Sequence, residues 1–204
     1  VFAECEAIHV QTLEKRTFTK EDCQFGYRNS IFKNEVKGQY IITSVTFQLT
    51  KKDHQLKTGY GAILNELEAK GITNPTIKDI SDVVIAIREQ KLPNPKEIGN
   101  SGSFFKNPII SAFAFSALKE KFPEVPSYQI SNEEVKVPAG WLIDQAGFKG
   151  YRDGDAGVHK NQALVLVNYG DASGEEILAL AKHIQQTIQE KFGIELEMEV
   201  NIIQ

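Results

Sequence analysis

The stretch from Ser173 to Ile203 constrains the fold more than any other part of the sequence. Ser173, with Glu176 three residues on, forms a capping box that opens a helix. Ile177, Leu180, Ala181, Ile184 and Ile188 then recur on one face, and Gly193 is the stop after a helix running to about Phe192. From Ile194 to Ile203 the period changes from helical to two, with Ile194, Leu196, Met198, Val200 and Ile202 on one side and Glu195, Glu197 and Glu199 on the other. A long amphipathic helix followed directly by a strand-period segment calls for a layer of helix on sheet, which makes the fold class α+β.

The rest of the chain punctuates in the same way. Residues 1–18 read as a hairpin broken at Thr12–Lys15, and Tyr40–Leu49 is rich in β-branched and aromatic residues, a strand. The segment Phe25–Lys33 fits neither period and reads as a loop or a short helical turn. Residues 76–90 form a helix on the spacing of Ile77, Ile80, Val83, Val84 and Ile87, ended by Pro93 and Pro95. Gly99–Ser103 reads as a turn, 111–122 as a helix, 123–138 as a polar loop, 140–147 as a short helix and Ala163–Val167 as a strand. No internal repeat or low-complexity tract is found. The change of texture near residue 98 divides the chain into a sheet-rich part, 1–98, and an α+β part, 99–204.

Composition excludes several classes. The 204 residues carry 23 basic and 27 acidic side chains, a net charge of −4, so general nucleic-acid binding is not expected. Two cysteines, Cys5 and Cys23, make neither a disulfide scaffold nor a four-thiolate zinc site and point to a reducing compartment, the cytoplasm. No run approaches the length of a membrane span, and no membrane association is expected. His9, His54, His159 and His183 show no metal-ligand spacing, and no metal is expected. The chain starts at Val1, inside a strand pattern, and its single methionine is Met198, so it reads as a fragment or processed chain.

Three stretches could carry chemistry. In Gly99-Asn100-Ser101-Gly102-Ser103-Phe104-Phe105-Lys106-Asn107-Pro108, small residues permit close backbone approach to a ligand, and a hydroxyl, an ammonium and an amide lie close together. The same residues also fit a tight connection whose serine caps a helix. The three alternating glutamates fit a solvated face; one beside a pocket would matter, and spacing alone does not choose it. Arg28, next to Tyr27, fits a two-pronged carboxylate clamp or a plain exposed loop arginine.

Taken in order, Cys23-Gln24-Phe25-Gly26-Tyr27-Arg28-Asn29-Ser30-Ile31-Phe32-Lys33, Lys91-Leu92-Pro93-Asn94-Pro95, the 99–108 stretch, Ala139-Gly140-Trp141-Leu142-Ile143-Asp144-Gln145, Val158-His159, Gln162-Ala163-Leu164-Val165 and Leu196-Glu197-Met198-Glu199-Val200 closely resemble the UDP-N-acetylenolpyruvoylglucosamine reductase family, type I branch. The likeness covers nearly the whole chain. It implies an oxidoreductase of peptidoglycan synthesis in which NADPH reduces FAD and hydride is delivered to C3 of an enolpyruvyl group while C2 is protonated. It implies three catalytic residues: Arg28 stabilising charge that spreads into the substrate carboxylate, Ser103 protonating C2, and Glu199 orienting or sharing a proton. Substrate contacts carry over to Tyr60, Lys91, Asn107, Tyr128, Lys136, Lys149 and Gln162, a set suited to a nucleotide-sugar diphosphate.

Two departures stand out. Met198-Glu199-Val200-Asn201 replaces the family's Pro-Glu-Val-Arg, and the Gly-Ser-Asn pyrophosphate loop of the FAD-binding half is missing. The resemblance therefore implies that 1–98 is the C-terminal part of an FAD-binding domain, followed by a smaller α+β substrate-binding domain at 99–204. Alone, such a chain is expected to be inactive or flavin-free. The alternative readings are a UDP-sugar-binding module without turnover, or a folded remnant with no ligand. The motifs set neither an oligomeric state nor a preference for NADPH over NADH.

Overall fold

The computed structural model describes residues 1–59 and 62–203. Tyr60, one of the expected substrate contacts, lies outside the described residues. The chain divides into two compact units, Val1–Lys57 and Thr58–Gln204.

The first unit is a three-stranded antiparallel sheet in the order β2-β1-β3, built from β1 (Phe2–His9), β2 (Lys15–Thr19) and β3 (Tyr40–Phe47). Alternation on β1 turns Cys5 and Ala7 inward, where they meet Phe18, Cys23 and Ile31. A short helix, α1 (Lys20–Cys23), is opened by a capping box in which the Thr19 hydroxyl accepts from the Asp22 amide and the Asp22 carboxylate accepts from the Thr19 amide. Burial, then the neighbouring Cys5 thiol, pushes the Cys23 thiol up to about 11, so it stays protonated at neutral pH; Cys5 is likewise a buried free thiol. The 25–33 segment is a loop closing in a 3₁₀ turn, Ile31–Lys33. Strand β3 is an edge strand whose Ile41, Ile42, Val45 and Phe47 are exposed.

The second unit holds α2 (Ile63–Ala69), α3 (Ile77–Lys91), β4 (Gly99–Ser103), β5 (Ile109–Ser111), α4 (Ala112–Lys121), β6 (Tyr128–Gln129), β7 (Glu134–Lys136), α5 (Ala139–Gln145), β8 (Arg152–Asp153), β9 (Ala156–Val158), β10 (Val165–Asn168) and α6 (Gly174–Phe192). Its two sheets are antiparallel, ordered β4-β10-β9-β8 and β5-β7-β6. Helix α6 is opened by the expected capping box and closed by Gly193 at φ 68°, a left-handed conformation that glycine adopts without strain. It lays Leu180, Ala181, Ile184 and Ile188 into one core with Phe105, Leu142, Ile143, Val158 and Leu196. The mixed α+β class is as expected, with every paired strand among the described residues antiparallel.

Three expectations are corrected. The Gly99–Ser103 turn is strand β4, because β10 supplies a ladder that these small residues would not hold alone; Gly102, at φ 76°, sits at its irregularity. The polar loop 123–138 contains the β6–β7 hairpin, anchored by the buried Val135 and Val137. Residues Ile194–Ile203 form no strand: they join a neighbour at one bridge, Phe105 to Met198, and bend at Val200. The second compact unit, Thr58–Gln204, is the larger of the two.

Candidate functional site

A cavity of about 470 Å³ opens in the second unit, lined by Asn107, Tyr128, Lys136, Pro138, Gly140, Trp141, Asp144, Lys149, Asn161, Gln162, Ala163 and Leu164. That is within the range of small-molecule sites. The β6–β7 hairpin sets Tyr128 directly opposite Lys136, whose ammonium lies 5.4 Å from the tyrosine ring centroid. The Val137 amide bonds the Pro108 carbonyl at 2.9 Å and fixes the hairpin to the Asn107 segment.

The amide side chains of the cavity are oriented by backbone. The Ala139 amide, at the first residue of α5, donates to Asn107 Oδ1 at 2.9 Å, and the Leu164 amide donates to Gln162 Oε1 at 3.3 Å. An N–H can be met only by the amide oxygen, so the NH₂ ends of Asn107 and Gln162 remain to serve a ligand. Together with the ammonium groups of Lys136 and Lys149 and the Tyr128 hydroxyl, they give a wall of hydrogen-bond donors. The one carboxylate in the lining, Asp144, accepts from Lys149 Nζ at 3.0 Å.

A second cavity, of about 320 Å³, is lined by Lys91, Arg88, Leu92, Ile87, Val84, Ile63, Ala62 and Gln162. Gln162 therefore lines both. The Asn161 side chain donates to the Gln90 carbonyl at 3.2 Å and ties the 161–164 segment to the end of α3.

Ser103 ends β4 opposite Val165, exposed. The Glu199 amide donates to the Phe104 carbonyl at 2.8 Å, and the Lys106 amide to the Glu197 carbonyl at 2.9 Å, so the Glu199 backbone lies alongside the residue next to Ser103. Glu199 is half-buried whereas Glu195 and Glu197 are exposed. The Lys106 ammonium pairs with the Glu197 carboxylate. Arg28 stands in the first unit, in the loop after α1, at φ 54° and 5.9 Å from the Tyr27 ring centroid.

Thus five of the seven expected substrate contacts, Asn107, Tyr128, Lys136, Lys149 and Gln162, share one cavity, and Lys91 lines the adjoining one through Gln162. Asp144 and Trp141 were not singled out from sequence as site residues. Their spacing of three on a short helix, which puts both on one face, was the available signal. Another missed feature is His159, buried at the base of the 159–165 turn with no hydrogen-bond partner for Nδ1. Burial, with the nearby Lys160 charge second, holds its pKa below the ordinary histidine value.

Among the described residues, no group of three or more His, Cys, Asp or Glu side chains could hold a metal ion, and no helix is long and apolar enough to cross a membrane.

Residues 94–203 match the family model described as UDP-N-acetylenolpyruvoylglucosamine reductase, C-terminal domain. The chain belongs to this family. It is 62% identical to the UDP-N-acetylenolpyruvoylglucosamine reductase of Flavobacterium johnsoniae, over 99% of this chain and 60% of that protein. Identity to the reductase of the same name from Chromobacterium violaceum is 53%, over 93% of this chain and 55% of that protein. The chain thus spans about 60% or less of the length of these reductases. A crystal structure of UDP-N-acetylenolpyruvylglucosamine reductase from Thermus caldophilus shares the fold, with TM-score 0.57 and 24% identity over 98% of this chain and 52% of that one.

Proposed function

We propose that this chain is the C-terminal portion of a cytoplasmic reductase of peptidoglycan synthesis, one that converts UDP-N-acetylglucosamine enolpyruvate to UDP-N-acetylmuramate. Residues 1–98 would complete an FAD-binding domain, and the exposed apolar β3 is the kind of surface such a part would present. Residues 99–204 would bind the nucleotide sugar. The observation that carries this reading is the donor wall of Asn107, Tyr128, Lys136, Lys149 and Gln162. A ligand made of a diphosphate, a ribose and an amide-bearing sugar is rich in acceptors and negative charge, and charge-assisted donors are the strong way to hold it.

The reduction adds hydride at C3 and a proton at C2. When bound, FAD reduced by NADPH would supply the hydride; the chemistry assigned to the residues named here is binding and proton handling. By the family resemblance Arg28 would be the cation for the substrate carboxylate, into which charge at C2 delocalises, and a guanidinium in that role lowers the barrier. Ser103 donates its hydroxyl proton to C2; a serine is a weak acid, so the donation depends on a strongly basic carbon and on tight positioning. Glu199, whose amide bonds the Phe104 carbonyl, would orient that hydroxyl or share its proton. The alternative reading is that the chain taken alone is a UDP-sugar-binding module without turnover.

Titration of the purified chain with UDP-N-acetylglucosamine enolpyruvate, followed by calorimetry, tests the binding; no heat of binding removes the reading. In a flavin-loaded protein containing this sequence, Ser103→Ala should leave flavin reduction by NADPH intact and slow reoxidation by the enolpyruvyl substrate. Equal reoxidation rates would take Ser103 out of the mechanism.

A further inference from the structure

We infer that the Lys106–Glu197 ion pair is a positioning clasp, which fixes where Glu199 lies beside Ser103 without touching substrate itself. This rests on the roles given above to Ser103 and Glu199 and names the residues that hold the two segments in register.

The run from Ser103 to Asn107 is anchored by its own side chains. Phe104 and Phe105 are buried in the core of the second unit, and Asn107 Oδ1 accepts from the Ala139 amide. The segment that carries Glu199 is held less firmly. Leu196 is its last buried residue, the chain bends at Val200, and residues 201–203 are exposed. Among the described residues it meets the 103–107 run at one bridge, Phe105 to Met198. Two hydrogen bonds close that bridge: the Lys106 amide to the Glu197 carbonyl at 2.9 Å, and the Glu199 amide to the Phe104 carbonyl at 2.8 Å. A bridge that no ladder continues on either side resists fraying only weakly.

Lys106 and Glu197 face each other across this bridge, and their side chains add a third restraint on the same rung. The Lys106 side chain is 22% exposed and that of Glu197 71%, so the ammonium reaches along a buried stem to a carboxylate at the surface. An ion pair so open contributes little to stability. Its effect is on register, because sliding or lifting the 197–199 segment would separate the two charges. Lys106 is not among the residues lining the donor-walled cavity, although its neighbour Asn107 is. Its ammonium serves Glu197. Placement of this kind carries weight in rate: a misplacement of about 1 Å costs on the order of a hundredfold, and a weak acid such as a serine hydroxyl depends on tight positioning.

The experiment uses the flavin-loaded protein containing this sequence and follows its two half-reactions separately by stopped flow. Lys106→Met keeps the buried stem and removes the charge, and the carboxylate left behind stands in water. The melting temperature should therefore stay within about 3 °C of the parent. Flavin reduction by NADPH should stay within about twofold, while reoxidation by the enolpyruvyl substrate should slow at least about tenfold. Glu197→Ala should slow reoxidation by a comparable factor. Each substitution opens the same clasp, so the double variant should be no slower than the slower single one. Lys106→Arg, which keeps a cation within reach of Glu197, should recover reoxidation to within about threefold of the parent.

Reoxidation at the parental rate in Lys106→Met would overturn the inference, as would losses that multiply in the double variant. A parallel fall of both half-reactions would do the same, because it marks a general disturbance of the fold and not a misplaced proton donor. Ser103→Ala, run alongside, separates the clasp from the reading beneath it. If that variant slows reoxidation and Lys106→Met does not, the clasp alone falls. If Ser103→Ala leaves reoxidation unchanged, the role of Ser103 falls and the clasp goes with it.

Discussion

Asn107 does two jobs with the two ends of one amide, and substitutions can separate them. Helix α5 begins after Pro138, which has no side-chain cap of its own, and Asn107 supplies the missing acceptor from 32 residues away at 2.9 Å from the Ala139 nitrogen. Asn107→Ala leaves that partly buried N–H without its partner, at a cost of about 1–2 kcal/mol. For a unit of this size the melting temperature should fall by roughly 3 °C per kcal/mol. Asn107→Asp keeps an oxygen for Ala139 and places negative charge near a helix start, so stability should stay within about 0.5 kcal/mol of the parent or rise. The ligand side changes in the opposite sense. The introduced carboxylate has no NH₂ to donate, which forfeits a charge-assisted hydrogen bond worth about 1.5–3 kcal/mol. A carboxylate about 4 Å from a phosphate adds repulsion of up to roughly 4 kcal/mol before solvent screening. UDP binding should therefore weaken by at least about a hundredfold in a protein that melts like its parent. Paired calorimetric titrations and thermal melts make the measurement. If Asn107→Asp binds UDP within about threefold of the parent, the amide's NH₂ does not serve the ligand; if Asn107→Ala melts unchanged, the cap across the chain has no energetic weight.

Two further outcomes concern stability. Ser173→Ala removes the acceptor of the Glu176 amide at 3.2 Å and should cost about 1 kcal/mol, read as a lowered urea midpoint at constant slope; an unchanged midpoint would show that α6 is held by its buried face alone. His159, held neutral by burial, binds its proton less readily folded than unfolded. Its contribution is therefore fully present above about pH 6.5 and is lost as pH falls toward the lower native value, with a slope of at most about 1.4 kcal/mol per pH unit. His159→Leu should flatten that limb of the stability–pH curve below about pH 6.5, and an identical limb in parent and variant would dissociate His159 from it.

What the sequence discloses follows the strength of local signals. Thr76 and Ser173, Gly193 and the prolines after α3 act within a turn of themselves, and the helices they bound are found where the pattern puts them. Strand β4 is different: Gly99, Ser101 and Gly102 have no strand preference, and the ladder to Val165–Asn168, more than sixty residues away, imposes it. The β6–β7 hairpin is equally silent, because strands of two and three residues are too short to display a period. The cavity is assembled from five separate segments whose residues, taken singly, look like ordinary surface lysines and amides. The family likeness collected them; periodicity could not have done so.

The three glutamates near the C-terminus show why a site can stay hidden inside a correct pattern. Glu195, Glu197 and Glu199 are equivalent by spacing, and alternation assigns them one solvated face. In the fold, Ile194 and Leu196 fill the core beneath α6, and the Gln185 side chain holds the Leu196 carbonyl. Because Ile194 follows the α6 stop at Gly193 directly, the segment cannot slide by two residues without emptying those core positions, although such a slide would preserve every apolar and acidic alternation. Connectivity to the helix therefore chooses the register that the pattern leaves open. That register sends Glu197 outward to the Lys106 ammonium and binds the Glu199 amide to the Phe104 carbonyl, which half-buries Glu199 next to the strand bearing Ser103. A glutamate is thus made distinct by the direct junction of a helix stop and a core isoleucine, a constraint that lies outside the glutamates themselves.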